Sequence, residues 1–281
     1  YMSRALVEVP IGKKVDGIAP SSLLLTAKKS YLDQTAGVLY PYVKTEFGGL
    51  PFTFTDVYGK YGFQGRNGSN ANVFGFRFED GTQLAVDKAI GWVATGYGAD
   101  MTIVPPSSST IIKAHFAQSD YSISSTEIAG RPRESSIDGF NGGLDFTYFM
   151  RKYDQLTYGL EMIGYNTKYR FTNGVGRILQ QNDNTTEVAG YLQYRYQTGR
   201  WLVEPGFRLH NYGALGIVRP EPRLGLKYNA TEYLRIKASG GRYSQNLVAA
   251  NSDRDVVNLF YGFLSGSGDV PSVFDGAPVT S

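Results

Sequence analysis

The chain has 281 residues, a formal net charge of +3, 21 tyrosines, 34 glycines and no cysteine. The lack of cysteine excludes disulfides, thiolate metal sites and cysteine nucleophiles, and the small net charge gives no electrostatic footprint for nucleic acid. No apolar run reaches the roughly 18 residues of a transmembrane helix. The chain starts at Tyr1 without a signal peptide, so we expect the native N-terminus to lie upstream.

A period of two runs through almost the whole sequence and predicts about twelve β-strands. This period places successive side chains on opposite faces of a strand. It is clearest in EVAGYLQYRYQTGRWLVEPGFRLHNY, residues 187–212. In chain order the predicted strands are 2–11, 22–33, 52–65, 71–80, 89–105, 109–127, 136–151, 155–172, 186–198, 200–213, 221–229 and 232–245.

The predicted connections alternate between short turns and longer links. The short turns are 12–17, 66–70, 106–109, 152–154, 198–200 and 229–231. The longer links are 34–51, 81–88, 128–135, 173–185, 213–220 and the tail from 246. An antiparallel meander gives this alternation when one end is elaborated, as in outer-membrane barrels with short periplasmic turns and long extracellular loops.

The two faces of the predicted strands differ in polarity. In residues 74–79, for example, three phenylalanines alternate with glycine, arginine and glutamate. A soluble sandwich would bury the apolar face as its core, whereas a membrane barrel would turn it to lipid and line its lumen with the polar face. Aromatic residues beside tight turns, such as Trp201 and Tyr228, favour the barrel, as does the need to close strand edges.

Three stretches of the chain carry a resemblance to a known family. They are residues 3–17 with 23–33 (SRALVEVPIGKKVDG and LLLTAKKSYLD), residues 54–76 (FTDVYGKYGFQGRNGSNANVFGF) and residues 221–266 (EPRLGLKYNATEYLRIKASGGRYSQNLVAANSDRDVVNLFYGFLSG). In this order they resemble the barrel of TonB-dependent outer-membrane receptors, from the first hairpins after the plug to the middle of the barrel. These are strand and turn patterns rather than catalytic signatures.

The resemblance implies an all-β fold, an antiparallel transmembrane β-barrel of about 22 strands. This chain would supply about twelve of them, with the plug and the C-terminal half of the barrel absent. We therefore expect residues 1–281 to be a partial barrel domain, and residues 246–281 to form an extracellular loop with a strand extension.

The resemblance also implies a function. It predicts active uptake of a scarce nutrient, such as an iron chelate, a vitamin or an oligosaccharide, across the outer membrane of a Gram-negative bacterium. The implied partners are outer-membrane lipid, the plug domain, an inner-membrane energy-coupling complex that acts through the N-terminal segment, and a surface lipoprotein lid. A passive porin or diffusion channel and a soluble all-β binding module remain as alternatives.

The sequence predicts no enzyme activity, cofactor or metal site. No GxSxG nucleophile elbow is present, and we expect both histidines to be ordinary lumen-facing side chains. The candidates for lumen-facing or plug-contacting residues are Arg77, Glu79, Asp145, Glu161, Arg195, Glu204, Arg208, Arg223, Lys227, Arg235, Lys237 and Arg242. The candidates for ligand contacts in the extracellular loops are Tyr40, Tyr42, Phe47, Asp253, Arg254, Asp255, Phe260 and Tyr261.

Overall fold

Twelve antiparallel strands form one sheet whose spatial order follows the chain order. The computed structural model describes residues 2–13, 20–39, 52–85, 88–126, 133–172, 176, 178–245, 247–248, 264–265, 273–274 and 277–278. The strands are β1 Met2–Ile11, β2 Ser21–Ser30, β3 Phe52–Gln64, β4 Asn70–Ala85, β5 Lys88–Ile103, β6 Thr110–Thr126, β7 Arg133–Phe149, β8 Gln155–Thr172, β9 Ile178–Thr198, β10 Trp201–Tyr212, β11 Ile217–Asn229 and β12 Arg235–Gly241. Each strand pairs with its sequence neighbours, as the predicted meander requires.

Smaller elements surround this sheet. Helix α1 covers Leu32–Leu39, and a short 3₁₀ helix covers Gly213–Leu215. Two further strand pairs are formed by β13 Leu247–Val248 with β14 Leu264–Ser265, and by β15 Val273–Phe274 with β16 Ala277–Pro278. No helix in the described ranges has the length and apolarity needed to cross a bilayer.

Several strands extend into segments that the sequence predicts to be loops. Strand β4 continues to Ala85, β9 begins at Ile178, and β11 begins at Ile217. The start of β9 reads ILQQNDNTTE, in which polar residues occupy both parities, so an apolar alternation could not reveal it. The longer connections at this end of the sheet are therefore partly formed by strands that continue beyond their predicted ends.

The strand register assigns every strand residue to one of two faces, because directly opposed residues share a face. Trp201 is opposed to Thr198 on β9 and to Tyr228 on β11, and Tyr228 is opposed to Ile236 on β12. We call the face with this row the apolar face and the opposite one the polar face. Large exposed hydrophobic side chains of the apolar face include Val73, Tyr97, Phe116, Leu144, Leu160, Met162, Leu192, Phe207, Leu209 and Leu224.

The exposed apolar face distinguishes a barrel wall from a soluble sandwich. Leu160 is 61% exposed, and Leu192 and Trp201 are about half exposed. Among the described residues, the buried hydrophobic side chains are Ile123, Ala189 and Tyr212, which all lie on the polar face. A sandwich would bury its apolar face against a second sheet. This sheet leaves that face open, as a barrel in lipid does.

The apolar face becomes polar along one row that crosses four strands. Asp120 is opposed to Asp138, Asp138 to Asn166, and Asn166 to Asn184, and the Asn166 amide donates to the Asp138 carboxylate at 3.1 Å. Beyond this row, the same face carries Ser122, Ser136, Lys168 and Asn182. The apolar band thus ends part-way along β6–β9, and these strands continue past it.

Candidate functional site on the polar face

Six ionisable side chains form a compact cluster on the polar face of β8–β11. We call them the carboxylate cluster: Glu161, Glu187, Arg208, His210, Glu221 and Arg223. Their proximity follows from the register, which opposes Arg208 to Glu221 and Tyr212 to Glu187. Side chains two residues apart on one strand share a face, so β10 holds Arg208 and His210 between carboxylates from both neighbouring strands.

The contacts within the carboxylate cluster balance most of its charge. Arg208 Nη2 donates to Glu161 Oε2 at 2.8 Å, and Arg223 Nη2 donates to Glu221 Oε2 at 2.6 Å. His210 lies between two carboxylates, with Nε2 3.0 Å from Glu187 and Nδ1 3.7 Å from Glu221. Buried charges are tolerated when they are paired and hydrogen-bonded in this way.

The segment after β12 completes the shell around Glu221. The Ser244 backbone N–H donates to Glu221 Oε1 at 3.0 Å, and the Ser244 hydroxyl donates to the same oxygen. The Tyr212 hydroxyl donates in turn to Ser244 Oγ at 2.8 Å. Glu221 is only 2% exposed, so its charge depends on these donors and on Arg223.

A second polar contact lies beside the cluster. The Tyr191 hydroxyl donates to the Asp145 carboxylate across Gly159. A Cβ at Gly159 would lie 2.6 Å from the Leu144 carbonyl oxygen and 2.7 Å from the Tyr191 hydroxyl. This position therefore requires glycine for the close approach of two side chains and a neighbouring strand.

A basic patch occupies the same face at the other end of these strands. It consists of Arg195, Lys227, Arg235 and Lys237, with Glu204 as the carboxylate among them. Lys227 and Lys237 are directly opposed across β11 and β12. Arg195 Nε is 3.6 Å from Glu204 Oε1. Open recesses in the wall expose these side chains.

Two of the candidate residues lie on the face opposite to the one expected. Arg77 and Glu79 are on the apolar face, where Arg77 opposes Val57 and Thr95, and they bind each other at 3.2 Å. Both side chains are more than half exposed. Arg77 belongs to the row of Asp120 and its neighbours, at the edge of the apolar band. Their expected lumen-facing position is therefore wrong.

The reason for this error is the packing of aromatic rings over glycines. Phe76 lies against Gly96 and Phe74 against Gly98, both on the polar face, where a Cβ would come within 2.8 Å of the rings. The phenylalanines of β4 fill space left by glycine on β5. The large apolar residues of this strand therefore lie on the polar face of the sheet, and its charged residues lie on the apolar face.

The structure places the remaining strand candidates on the polar face: Asp145, Glu161, Arg195, Glu204, Arg208, Arg223, Lys227, Arg235 and Lys237. Arg242 follows β12, and its backbone N–H donates to the Pro222 carbonyl at 3.0 Å. The loop candidates Tyr40, Tyr42, Phe47, Asp253, Arg254, Asp255, Phe260 and Tyr261 lie outside the described residues.

Sequence reasoning missed Glu187, Glu221 and Ser244, and it gave His210 no particular role. Arg208 and Glu221 occupy directly opposed positions in the β10–β11 hairpin, so the register of this hairpin could have placed them side by side. The contact of Glu161 with Arg208 crosses β9, so two registers must be known to find it.

Among the described residues, no group of three or more His, Asp and Glu residues could hold a metal ion. The Nε2 of His115 lies 2.7 Å from Asn141 Oδ1.

Comparison with known proteins gives structural matches alone. No protein-family model and no curated protein matches the chain by sequence. The hemophore receptor HasR of Serratia marcescens, solved with its hemophore and heme, aligns with a TM-score of 0.60 and 11% identity, covering 85% of this chain and 42% of that one.

Two further outer-membrane receptors, one of them a siderophore receptor, give similar alignments. The receptor PirA of Pseudomonas aeruginosa has a TM-score of 0.59 and 13% identity, over 89% of this chain and 40% of that one. The alcaligin outer-membrane receptor FauA of Bordetella pertussis has a TM-score of 0.58 and 13% identity, over 85% of this chain and 40% of that one. The chain thus spans about two fifths of the length of the receptors it matches.

The sheet has the fold of part of a TonB-dependent receptor barrel. The resemblance predicted from strand and turn patterns is confirmed at the level of the fold. In such a barrel the apolar face is the lipid-facing side and the polar face is the lumenal side. The carboxylate cluster and the basic patch both lie on the polar face, which is the lumenal side in barrels of this kind.

Proposed function

We propose that this chain forms part of the barrel wall of a TonB-dependent receptor that actively imports a scarce nutrient across the outer membrane of a Gram-negative bacterium. The observation that carries the proposal is the combination of an exposed apolar face with a charged lumenal face on one twelve-stranded meander. A diffusion channel would share these faces. The matched barrels, however, are those of receptors for siderophores and a hemophore.

The proposed transport cycle gives each face a separate role. The apolar face anchors the wall in lipid, up to the polar row of Asp120, Asp138, Asn166 and Asn184. The lumenal charges bind a plug domain that closes the barrel at rest. An inner-membrane energy-coupling complex then acts on the N-terminal segment of the whole protein, and the plug rearranges to release the ligand inward.

The proposed substrate is an iron chelate, ahead of a vitamin or an oligosaccharide. The support is analogy with the matched structures, which include a ferric citrate transporter, a siderophore receptor and a hemophore receptor solved with its hemophore and heme. Under this proposal, residues 246–281 form an extracellular loop. The proposed ligand contacts are Asp253, Arg254, Asp255, Phe260 and Tyr261 in this loop, and Tyr40, Tyr42 and Phe47 in the 34–51 segment. A surface lipoprotein lid would bind at this end.

A passive porin or diffusion channel is the second candidate. The observation that favours it is the basic patch, since rings of charged side chains also give pores their selectivity. In that function Lys227 and Lys237 would attract anions into an open lumen. The two functions differ in whether the lumen is closed at rest and whether uptake needs energy.

The test uses the native protein purified from its outer membrane in detergent. Reconstituted in liposomes, it should not support osmotic swelling by small sugars, because a plug closes the lumen. In cells, its deletion should abolish uptake of a radiolabelled ferric chelate, and a protonophore should abolish the same uptake. Rapid swelling together with protonophore-insensitive uptake would instead identify a passive channel.

A further inference from the structure

Two neighbouring recesses open on the apolar face of β6–β9, at the level where the apolar band gives way to polar residues. The lower recess has a volume of about 410 Å³, and the upper recess, which is farther from the short turns, has a volume of about 520 Å³. The register places most of the side chains that line them on the apolar face, in successive rows two residues apart. Both recesses are therefore on the side of the wall that meets the membrane.

Aromatic rings form the lower part of the lower recess. Phe116 and Phe140 line it, and the Phe140 ring lies where a Cβ of Gly164 would stand on the neighbouring strand. Glycine at this position thus gives the ring room to pack across β8. These two rings offer an apolar surface at the upper limit of the apolar band.

Hydrogen-bond acceptors border the same recess on its polar side. Asn166 Nδ2 donates to the Asp138 carboxylate at 3.1 Å, whereas Asn166 Oδ1 is buried without a hydrogen-bond partner. Most buried polar side-chain atoms in proteins have partners. The Asp138 carboxylate accepts hydrogen bonds only, and so does Asn166 Oδ1. This border is therefore suited to a ligand that brings hydroxyl or amide donors, which a small rotation of the Asn166 amide would allow it to meet.

Two cations line the upper recess. Lys168 and Arg170 are both exposed, and no ion pair joins either of them to another described residue. Glu134 is the carboxylate in this recess, directly opposed to Arg170 in the register but not paired with it. Lys168 is opposed instead to the neutral side chains of Ser136 and Asn182. Cations therefore outnumber carboxylates here, and they can bind an anionic group.

The height of these cations indicates the size of the headgroup that could reach them. Four residues separate Gly164 from Lys168 on β8, which is about 13 Å along the strand and about 10 Å in height at the tilt of a barrel strand. The headgroup layer of an ordinary phospholipid leaflet is only about 5–8 Å thick. The cations thus match an anionic group on a headgroup larger than that of a phospholipid.

We propose that the two recesses together bind one phosphorylated glycolipid of the outer leaflet. Its acyl chains lie against the two phenylalanines, and its sugar hydroxyls and amide groups donate to Asp138 and Asn166. Its anionic group binds Lys168 and Arg170. The assignment rests on the part of the proposed function that places the wall in the outer membrane with its short turns in the periplasm.

A glycerophospholipid fits the same recesses less well. Between its acyl chains and its phosphate it offers ester carbonyls and no hydrogen-bond donor, so its oxygens would face the Asp138 carboxylate without a hydrogen between them. A like-charged phosphate at that level is also repelled. The order of apolar surface, acceptors and cations along β8 therefore selects a lipid with a sugar headgroup.

Native mass spectrometry of the full-length native protein, purified in detergent and freed of lipid, tests this assignment. The protein is titrated with lipid A, a phosphorylated disaccharide with amide-linked and ester-linked acyl chains, and separately with phosphatidylglycerol. We expect one lipid A molecule to bind about tenfold more tightly than phosphatidylglycerol. Lys168→Gln should weaken lipid A binding about fivefold, which is the effect of losing one charged contact of modest strength.

Lys113→Gln is the matched control for the loss of charge. Lys113 is an exposed lysine of β6 on the polar face, opposed to Asp145. Its substitution changes the net charge by the same amount on the other side of the wall, so lipid A binding should equal that of the parent protein. The far-ultraviolet circular dichroism of each variant should also match the parent, which separates loss of the site from loss of the fold.

Asp138→Asn gives a second readout, whose sign depends on the lipid. The amide keeps an oxygen for the Asn166 donor but loses the negative charge. Binding of lipid A should weaken, because its hydroxyl and amide donors lose a charged acceptor. Binding of phosphatidylglycerol should strengthen, because its phosphate is no longer repelled. A purely structural role of Asp138 would change the binding of both lipids in the same direction.

Three results would overturn the proposal. Equal affinity for both lipids, weakened equally by Lys168→Gln, would make the recesses a site for any anionic lipid. Lipid A binding that is the same in all variants would mean that it binds elsewhere on the barrel. Displacement of lipid A by an equal concentration of its deacylated phosphorylated disaccharide would assign the site to a soluble phosphosugar.

The outcomes also separate this inference from the proposed function. A protein that imports a ferric chelate with energy but does not distinguish lipid A from phosphatidylglycerol would keep the function and lose the inference. A protein that swells liposomes yet binds lipid A through Lys168 would lose active import and keep the lipid site.

Discussion

The carboxylate cluster and the basic patch share the polar face and the same few strands, but their charges are paired to very different extents. In the cluster, each carboxylate has a partner, and Glu221, which is 2% exposed, accepts hydrogen bonds from the Ser244 hydroxyl, the Ser244 backbone N–H and Arg223. In the patch, two lysines face each other beside an open recess. Among the described residues, the pairing of charges is complete where the side chains are buried and incomplete where they are open.

This difference assigns different roles to residues that look alike in the sequence. Arg208 and Arg223 serve to hold β8–β11 together, because their partners belong to the wall. Lys227 and Lys237 have no ion-pair partner among the described residues. A variant in the cluster should therefore change stability more than a variant in the patch.

The largest expected effect is that of Glu221→Gln. This change removes the buried carboxylate that accepts hydrogen bonds from Arg223 and Ser244, and one of the two carboxylates beside His210. Hydrogen bonds to a charged group contribute about 1.5–3 kcal/mol. We expect the free energy of unfolding in lipid vesicles, measured by urea titration, to fall by about that amount. A change below about 1 kcal/mol would show that the cluster is not the stabilising element that its burial indicates.

A smaller effect is expected at the edge of the cluster. Arg208 and Glu161 are 18% and 28% exposed, so Arg208→Met should lower the free energy of unfolding by about 1–2 kcal/mol, since solvent screens part of the interaction. The double variant with Glu161→Gln should lose less than the sum of the two single variants, because the pair has already been broken. Strict additivity would contradict a direct Arg208–Glu161 interaction.

The smallest effect is expected in the patch. Glu204 and Arg195 are each at least one third exposed and 3.6 Å apart, and such pairs contribute about 0.5 kcal/mol or less. Glu204→Gln should therefore leave the free energy of unfolding almost unchanged under the same conditions. A loss comparable to that of Glu221→Gln would erase the distinction between the two regions.

The sequence predicts the strands well wherever apolar and polar residues alternate. All twelve main strands were expected, and those from β6 onward have the expected faces, because Leu144, Leu160 and Leu192 mark the outward parity. The prediction fails in β4, where aromatic rings packed over glycines place the apolar residues on the polar face. It also fails at the start of β9, which lies beyond the apolar band and shows no alternation of apolar and polar residues.

The candidate site was predictable only in part, for a geometric reason. Parity alone places Arg208 and Lys227 on the same face, yet it does not reveal which one has a partner. Partnership depends on the register of two or three strands, as the contact between Glu161 and Arg208 shows. The distinction between a buried cluster and an open patch therefore required the structure.

The most direct test of the account is whether the apolar face meets lipid. This chain lacks cysteine, so nitroxide labels can be attached to single cysteines at positions 156–158 and 160–163 of the native protein in lipid vesicles. We expect the enhancement of nitroxide spin relaxation by oxygen, measured by EPR power saturation, to peak at Leu156, Tyr158, Leu160 and Met162, because oxygen concentrates in lipid. Relaxation enhancement by a water-soluble nickel chelate should peak at the positions between them. Equal relaxation enhancement by oxygen at the even-numbered and odd-numbered positions, or the reverse pattern, would contradict the barrel-wall assignment.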